Sequence, residues 1–218
     1  LRGTGLVDPQ SRAVDGRDSG GEIDRGLMRS ILFDEIVPGP VYAALTAHPA
    51  VRKWFAWFLD DEVHLHQRRI IRHIRPGEAG IGTATQAHYD LVYLREGTDR
   101  VLSIWIPLGD TPVELGGLCY LEGSHRWVRS DERNGILRRA EWITADLPSL
   151  AEEHDSRWLL ADYAAGDVVV HSSHIVHAAT DNVDPAQRIR LSTDIRYQRV
   201  SDPIDWRWQE HWYEGDGL

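Results

Sequence analysis

The chain has 218 residues, 42% hydrophobic and 27% charged, with a net charge of −10. That length and mixture suit one globular domain over 1–218 with its own core, and exclude collagen, coiled coil and wholesale disorder. Thirty-four acidic residues against 24 basic ones argue against a nucleic-acid partner, and no apolar run reaches the roughly 18 residues of a membrane helix. Residues 1–26, rich in Gly, Asp and Arg, read as a mobile arm or long loop. Short apolar periodicity over 27–36 and 40–47, split by Pro38-Gly39-Pro40, predicts two short helices. Ala50–Leu59 predicts a third, because Val51, Trp54, Phe55 and Phe58 recur at i, i+3, i+4 and i+7.

From about residue 63 the texture is that of short strands. Ile70–Ile74 ends at Pro76-Gly77, a loop is expected over Gly80–Thr85, and His88–Leu94 and Val101–Leu108 follow. Gly116-Gly117 signals a turn before a strand at Leu118–Leu121. Residues 129–160, polar with scattered Trp and Leu, predict a helical insertion or lid. Strands resume at Asp167–His171, Ile175–Ala179 and Arg188–Arg199, the last carrying Leu191, Thr193, Ile195 and Tyr197 on one parity. Many short strands behind a helical start predict a mainly β fold with flanking helices, a cupin-like jelly roll. Cys119 is the lone cysteine, so no intrachain disulfide can form, and a buried filler in a reducing, cytoplasmic setting is expected.

Two motifs carry no chemistry. Gly16-Arg17-Asp18-Ser19-Gly20-Gly21 has the look of a protease nucleophile turn, but the first histidine is His48, so nothing upstream can serve it. His64-x-His66 is followed by Gln67-Arg68-Arg69 rather than by a carboxylate, which favours packing. His88-Tyr89-Asp90 is different. On a strand His88 and Asp90 share a face, and a later histidine would complete the two-His, one-carboxylate set of non-haem Fe(II) oxygenases. His171, His174 and His177 compete for that place. His177 is favoured because it follows Gly166-Asp167 and an apolar run, and leads eleven residues on to Arg188. A keto-acid co-substrate such as 2-oxoglutarate needs a fixed cation for its distal carboxylate, and arginine's planar fork suits it. Arg188 and Arg190 share a strand face, so parity cannot choose between them; the eleven-residue step favours Arg188.

Taken together, these segments resemble the phytanoyl-CoA dioxygenase-like family of Fe(II)/2-oxoglutarate oxygenases over roughly residues 48–208. The matching pieces are Arg75-Pro76-Gly77, Gln86-Ala87-His88-Tyr89-Asp90, Trp105, Gly116–His125 and Gly166-Asp167 with His177 and Arg188. The resemblance implies a double-stranded β-helix. It implies Fe(II) on His88, Asp90 and His177, with 2-oxoglutarate and dioxygen as co-substrates. It implies Arg188, Trp105, Arg75 and Gln86 around the co-substrate, with a further hydrogen bond from Tyr93 or Thr98, because Ala179 stands where a hydroxyl is usual. Ser124 and His125 then form a structural turn. Halogenases of this superfamily have a small residue at the position of Asp90, so hydroxylation of a small metabolite or natural-product intermediate is the implied activity. Two alternatives stay open: a cupin-like metalloenzyme that does not use 2-oxoglutarate, and a non-catalytic ligand-binding jelly roll. Trp127, Trp142, Trp158, Trp206 and Trp208 are candidates for the floor of an apolar pocket.

Overall fold

The computed structural model describes residues 1–77 and 85–210. Among the described residues, eight strands form two antiparallel sheets. β8 (Arg190–Arg199) is the spine of the larger one. β1 (Val63–Leu65) and β2 (Ile70–Ile74) pair with successive parts of one edge of β8, while β3 (Leu102–Pro107) pairs with its other edge and with β6 (Val169–Ser172). The smaller sheet has the order β5 (Trp158–Leu159), β4 (Leu118–Leu121), β7 (His177–Ala179). His88 extends it through a single bridge to His177. This is the jelly roll expected from the strand density. The loop expected over Gly80–Thr85 lies, apart from Thr85, outside the described residues.

The alternation along β8 has two buried outcomes. Ile195 and Tyr197 face out of the sandwich and pack with Ile104 and Ile106 of β3 under Phe55. Arg190, Ser192, Asp194 and Arg196 share the opposite parity, and all four are buried between the sheets. Phe55 comes from α3 (Pro49–Leu59), whose first turn is set by Pro49 and by His48 Nδ1, which accepts the Ala50 N–H at 3.2 Å. Its ring stacks on Tyr197 at 4.8 Å between centroids. Truncating a core aromatic of this kind costs about 3–5 kcal/mol.

Three segments depart from the sequence expectations. Residues 1–24 are folded back rather than standing off as an arm. Leu6 is fully buried with Met28, Leu32 and Ile189, and backbone bonds from Asp18 N to Gln187 O (2.8 Å) and from Ile189 N to Gly16 O (2.9 Å) tie the segment to the approach to β8. Few apolar residues suffice because they converge on one spot. The segment His88–Leu94 is not a strand beyond His88: α4 (Leu91–Leu94) is one helical turn. Leu91, Val92 and Leu94 are all buried, which a strand of alternating faces would not achieve on this surface. The segment read as a helical insertion begins earlier and is only partly helical, with α5 at Ser124–Arg133 and α6 at Leu147–Glu153. Between them the chain runs along the segment just before His88, through Ile143 N to Ala87 O at 2.7 Å and Ala87 N to Thr144 O at 3.0 Å.

The helices at 27–36 and 40–47 are present as α1 (Arg25–Ser30) running into a π-helical turn (Ile31–Ile36), and as α2 (Pro40–Thr46). Among the described residues no helix is long and apolar enough to cross a membrane.

Candidate metal centre

His88 and His177 face each other across the smaller sheet, with ring centroids 4.3 Å apart. Asp90 follows two residues after His88, where the chain turns into α4. One donor atom from each of the three lies within 4.8 Å of the others, and all three side chains are buried. His88 Nδ1–H donates to the Gln86 carbonyl at 2.8 Å and His177 Nδ1–H to the Ile175 carbonyl at 3.1 Å. Each backbone acceptor fixes the tautomer that leaves Nε2 with its lone pair, as metal-ligating histidines require. Those Nε2 atoms stand 3.8 and 4.0 Å from Asp90 Oδ1, spaced for an ion rather than for hydrogen bonds. Burial lowers the pKa of both rings, and for His177 the neighbouring His88 and His171 add to it. Burial would raise that of Asp90, yet the Arg196 charge and the His171 contact hold the carboxyl well below the usual range. The set is therefore two neutral imidazoles and one carboxylate.

β3 and β8 build the other wall. Ser103 Oγ donates to Asp90 Oδ2, and Arg196 Nη2 lies 3.3 Å from Oδ1. His171 of β6 sits opposite Ser103, with Nε2 3.5 Å from Asp90 Oδ2 and Nδ1 3.1 Å from the Tyr120 hydroxyl. It is a buried neighbour of the centre. His174 lies away from the centre, with its Nε2 3.5 Å from Asp99.

The arginines expected around a co-substrate divide differently from the sequence reading. Arg188 is turned outward and held by Asp184, with contacts at 3.0 and 2.8 Å from Nε and Nη2. The cause is local: Gln187 has φ +58°, and the preceding turn anchors on Asp184 and on Arg17 of the N-terminal segment, so Arg188 falls outside the sandwich. Arg75 is likewise held away from the centre, forked on Asp18 at 2.8–3.1 Å. Gln86 contributes its carbonyl to His88.

Arg190, unlike Arg188, lies between the sheets, 1% exposed, with its guanidinium 5.7 Å from the centroid of Trp105. Its Nη1 meets Ser192, but Nε and Nη2 are buried with no partner among the described residues, as is Trp105 Nε1. Burial pushes this guanidinium down to about 10, and the Asp194 charge only partly offsets that. Ile74, Leu118, Tyr163 and Ala179 pack with Trp105 into an apolar wall here.

Of the residues offered for a further hydrogen bond, Tyr93 stands on the other side, its ring 6.1 Å from His88, and Thr98 caps the turn to Arg100. Ser124 is structural, its Oγ accepting Val176 N–H at 2.9 Å. Trp142 and Trp208 line a second cavity that opens on His88 and Asp90. Trp127 stacks on His154, Trp158 donates to Leu147 O, and Trp206 is exposed. Arg196 and Ser103 were missed in the sequence, and His171 was weighed there only as a rival to His177. For Arg196 a signal existed: the polar parity of β8 opposite Leu191, Thr193, Ile195 and Tyr197.

A model of the family described as phytanoyl-CoA dioxygenase (PhyH) matches residues 22–190. The chain is 26% identical over 210 residues to the ectoine dioxygenase of Sphingopyxis alaskensis, covering 92% of this chain and 66% of that protein. It is 28% identical over 165 residues to the 1-deoxypentalenic acid 11-beta-hydroxylase of Streptomyces exfoliatus, covering 73% of this chain and 58% of that one. Among solved structures, EctD from S. alaskensis with 2-oxoglutarate and 5-hydroxyectoine superposes with a TM-score of 0.57 at 23% identity, over 77% of this chain and 55% of that chain. That likeness is one of fold. The chain spans 66% and 58% of the lengths of these two curated relatives.

Proposed function

The chain belongs to the phytanoyl-CoA dioxygenase family, and from that premise we propose that it is a non-haem Fe(II)- and 2-oxoglutarate-dependent dioxygenase that hydroxylates a small metabolite or natural-product intermediate. The observation that carries the reading is the donor set: two free Nε2 lone pairs and an ionised carboxylate on one side of a buried space. Such a facial set suits iron and leaves positions for a bidentate co-substrate and dioxygen. The relatives' names, a dioxygenase and a hydroxylase, support it.

The residues present fit the co-substrate as well as the metal. Arg190 is a buried guanidinium with two nitrogens and no acceptor among the described residues, a costly arrangement unless a ligand satisfies it. A distal carboxylate would do so bidentately. We therefore assign that role to Arg190, and to Trp105 and its apolar neighbours the exclusion of water around it. Iron with 2-oxoglutarate and dioxygen supplies the oxidising chemistry. The chain's own part is to hold the metal on one face, to fix both imidazole tautomers through Gln86 and Ile175, and to keep Asp90 ionised with Ser103 and Arg196. Residues 129–160 are proposed to form a lid over the centre, supported by Trp142 in the wall of the second cavity. A cytoplasmic setting is proposed with it, supported by the buried Cys119, whose thiol burial pushes up to about 12.

The test is anaerobic addition of Fe(II) and then 2-oxoglutarate. The expected result is one iron per chain and a weak visible charge-transfer band that needs both additions. Iron binding without the band would remove 2-oxoglutarate from the account; no iron binding would remove the metal. Arg190→Ala should raise the apparent 2-oxoglutarate constant by on the order of 10²–10³, the effect of losing one partner of a buried ion pair. Arg188→Ala should change it only a few-fold. The reverse pattern would return the role to Arg188.

A further inference from the structure

The second cavity has a volume of about 290 Å³ and opens on His88 and Asp90. That is at the small end of ligand pockets, which run roughly 300–1,000 Å³. Phe33, Tyr93, Trp142 and Trp208 give it an aromatic lining, and Arg68, Arg72 and Arg196 are the arginines of its wall, with Asp90 beside them. Arg68 lies over Trp208, 5.3 Å from the ring centroid. Arg72 and Arg196 are not alike. Arg72 is matched, its Nε donating to Asp194 at 2.7 Å. Arg196 is 5% exposed and reaches only Asp90, through Nη2 at 3.3 Å; its Nε and Nη1 are buried with no partner among the described residues. One face of its guanidinium lies on Trp208, 4.4 Å from the ring centroid, which holds the group in place without satisfying its N–H bonds.

Charge points the same way. With the site filled as proposed above, a divalent ion, Asp90, the co-substrate dianion and Arg190 cancel, and Arg72 cancels Asp194. None of these groups matches Arg196, whose positive charge stands in a buried, aromatic-lined space that the Arg68 guanidinium also borders. A buried cation with two unmet donors calls for an anionic acceptor, and a carboxylate on an apolar body fits both the guanidinium and its aromatic surround.

We propose that this cavity is the substrate site and that it takes a small organic monocarboxylate, its carboxylate received by Arg196 beside the metal centre and its apolar body lying against Trp142 and Phe33. This rests on the oxygenase reading above and deepens it by naming the substrate class.

The experiment uses the full chain, anaerobic, with Fe(II) and saturating 2-oxoglutarate, so that the Arg190 end is already filled. Phenylacetate, cyclohexanecarboxylate and indole-3-acetate are each titrated against their own amides. Binding is read as a shift of the visible band and as a change in tryptophan fluorescence, since Trp142 and Trp208 line the cavity. The expected result is that at least one acid binds on the order of 10- to 100-fold tighter than its amide, the weight of a charge-assisted hydrogen bond. Arg196→Gln should abolish that preference, and Arg196→Lys should recover part of it. If no acid exceeds its amide, or if the preference survives in Arg196→Gln, the proposal is wrong. Because Arg196 also touches Asp90, iron retention is measured in each variant; where a variant loses iron, the acid-against-amide comparison on the unaltered chain decides. Failure of the band to form at all would instead overturn the oxygenase reading.

Discussion

Two pairs of neighbouring histidines can be set side by side in this fold. His64 and His66 lie 5.1 Å apart by ring centroid, His88 and His177 4.3 Å apart. In the first pair the hydrogen bonds run to side chains. His66 meets Gln198 Oε1 through Nε2 and Gln209 Nε2 through Nδ1, and His64 Nε2 meets Gln209 Oε1. In the second pair each ring spends Nδ1 on a backbone carbonyl and turns Nε2 toward Asp90 at a distance no hydrogen bond spans. Proximity of imidazoles therefore says little. What separates packing from ligation is which nitrogen is left over, and whether a carboxylate stands opposite it.

The largest test of that contrast is mutation of both pairs with two readouts. His177→Ala or Asp90→Ala should lower metal affinity more than 100-fold, beyond the 10- to 100-fold that loss of an outer partner causes. His66→Ala should leave metal affinity within a few-fold and lower stability by about 2–4 kcal/mol, because Gln198 and Gln209 lose buried partners. Metal titration and urea unfolding check both; if His66→Ala also abolished metal binding, the division between the pairs would fail.

A smaller effect sharpens it through pH. Burial holds His66 neutral, pushing it down from 6.5 to about 4. A folded value below the unfolded one means that its contribution is complete above about pH 6.5 and is lost as pH falls toward 4. Between pH 7 and pH 5 the metal-free chain should lose about 2 kcal/mol from this group. In His66→Gln that part of the acid sensitivity should vanish; an unchanged pH slope in urea unfolding would show that His66 is not its source.

Much of the fold was legible because alternation and punctuation are local. Gly116-Gly117 before Leu118–Leu121, and the odd parity of β8, identify strands without tertiary knowledge. The segment His88–Leu94 was not legible as a turn of helix, since β-compatible residues there are buried on every side by a surface the sequence does not display. For the candidate site, the H-x-D spacing and His177 could be read because metal chemistry restricts residue types. Which of Arg188 and Arg190 enters the sandwich could not be read, because it turns on the positive φ of Gln187 and on the hold that Asp184 and the N-terminal segment have on Arg188. Arg196 went unread because alternation was followed on the apolar side of β8 only. On a strand buried on both faces, the polar parity is the one that carries chemistry.

The central claim is that His88, Asp90 and His177 hold one metal ion. Anomalous diffraction at the iron edge, from crystals of the full chain grown anaerobically with Fe(II), tests it most directly. The account predicts a single strong peak about 2.0–2.2 Å, the range of metal–imidazole and metal–carboxylate bonds, from His88 Nε2, His177 Nε2 and an Asp90 carboxylate oxygen. A peak at His64 and His66, or one that engages His171 in place of His88 or His177, would contradict it.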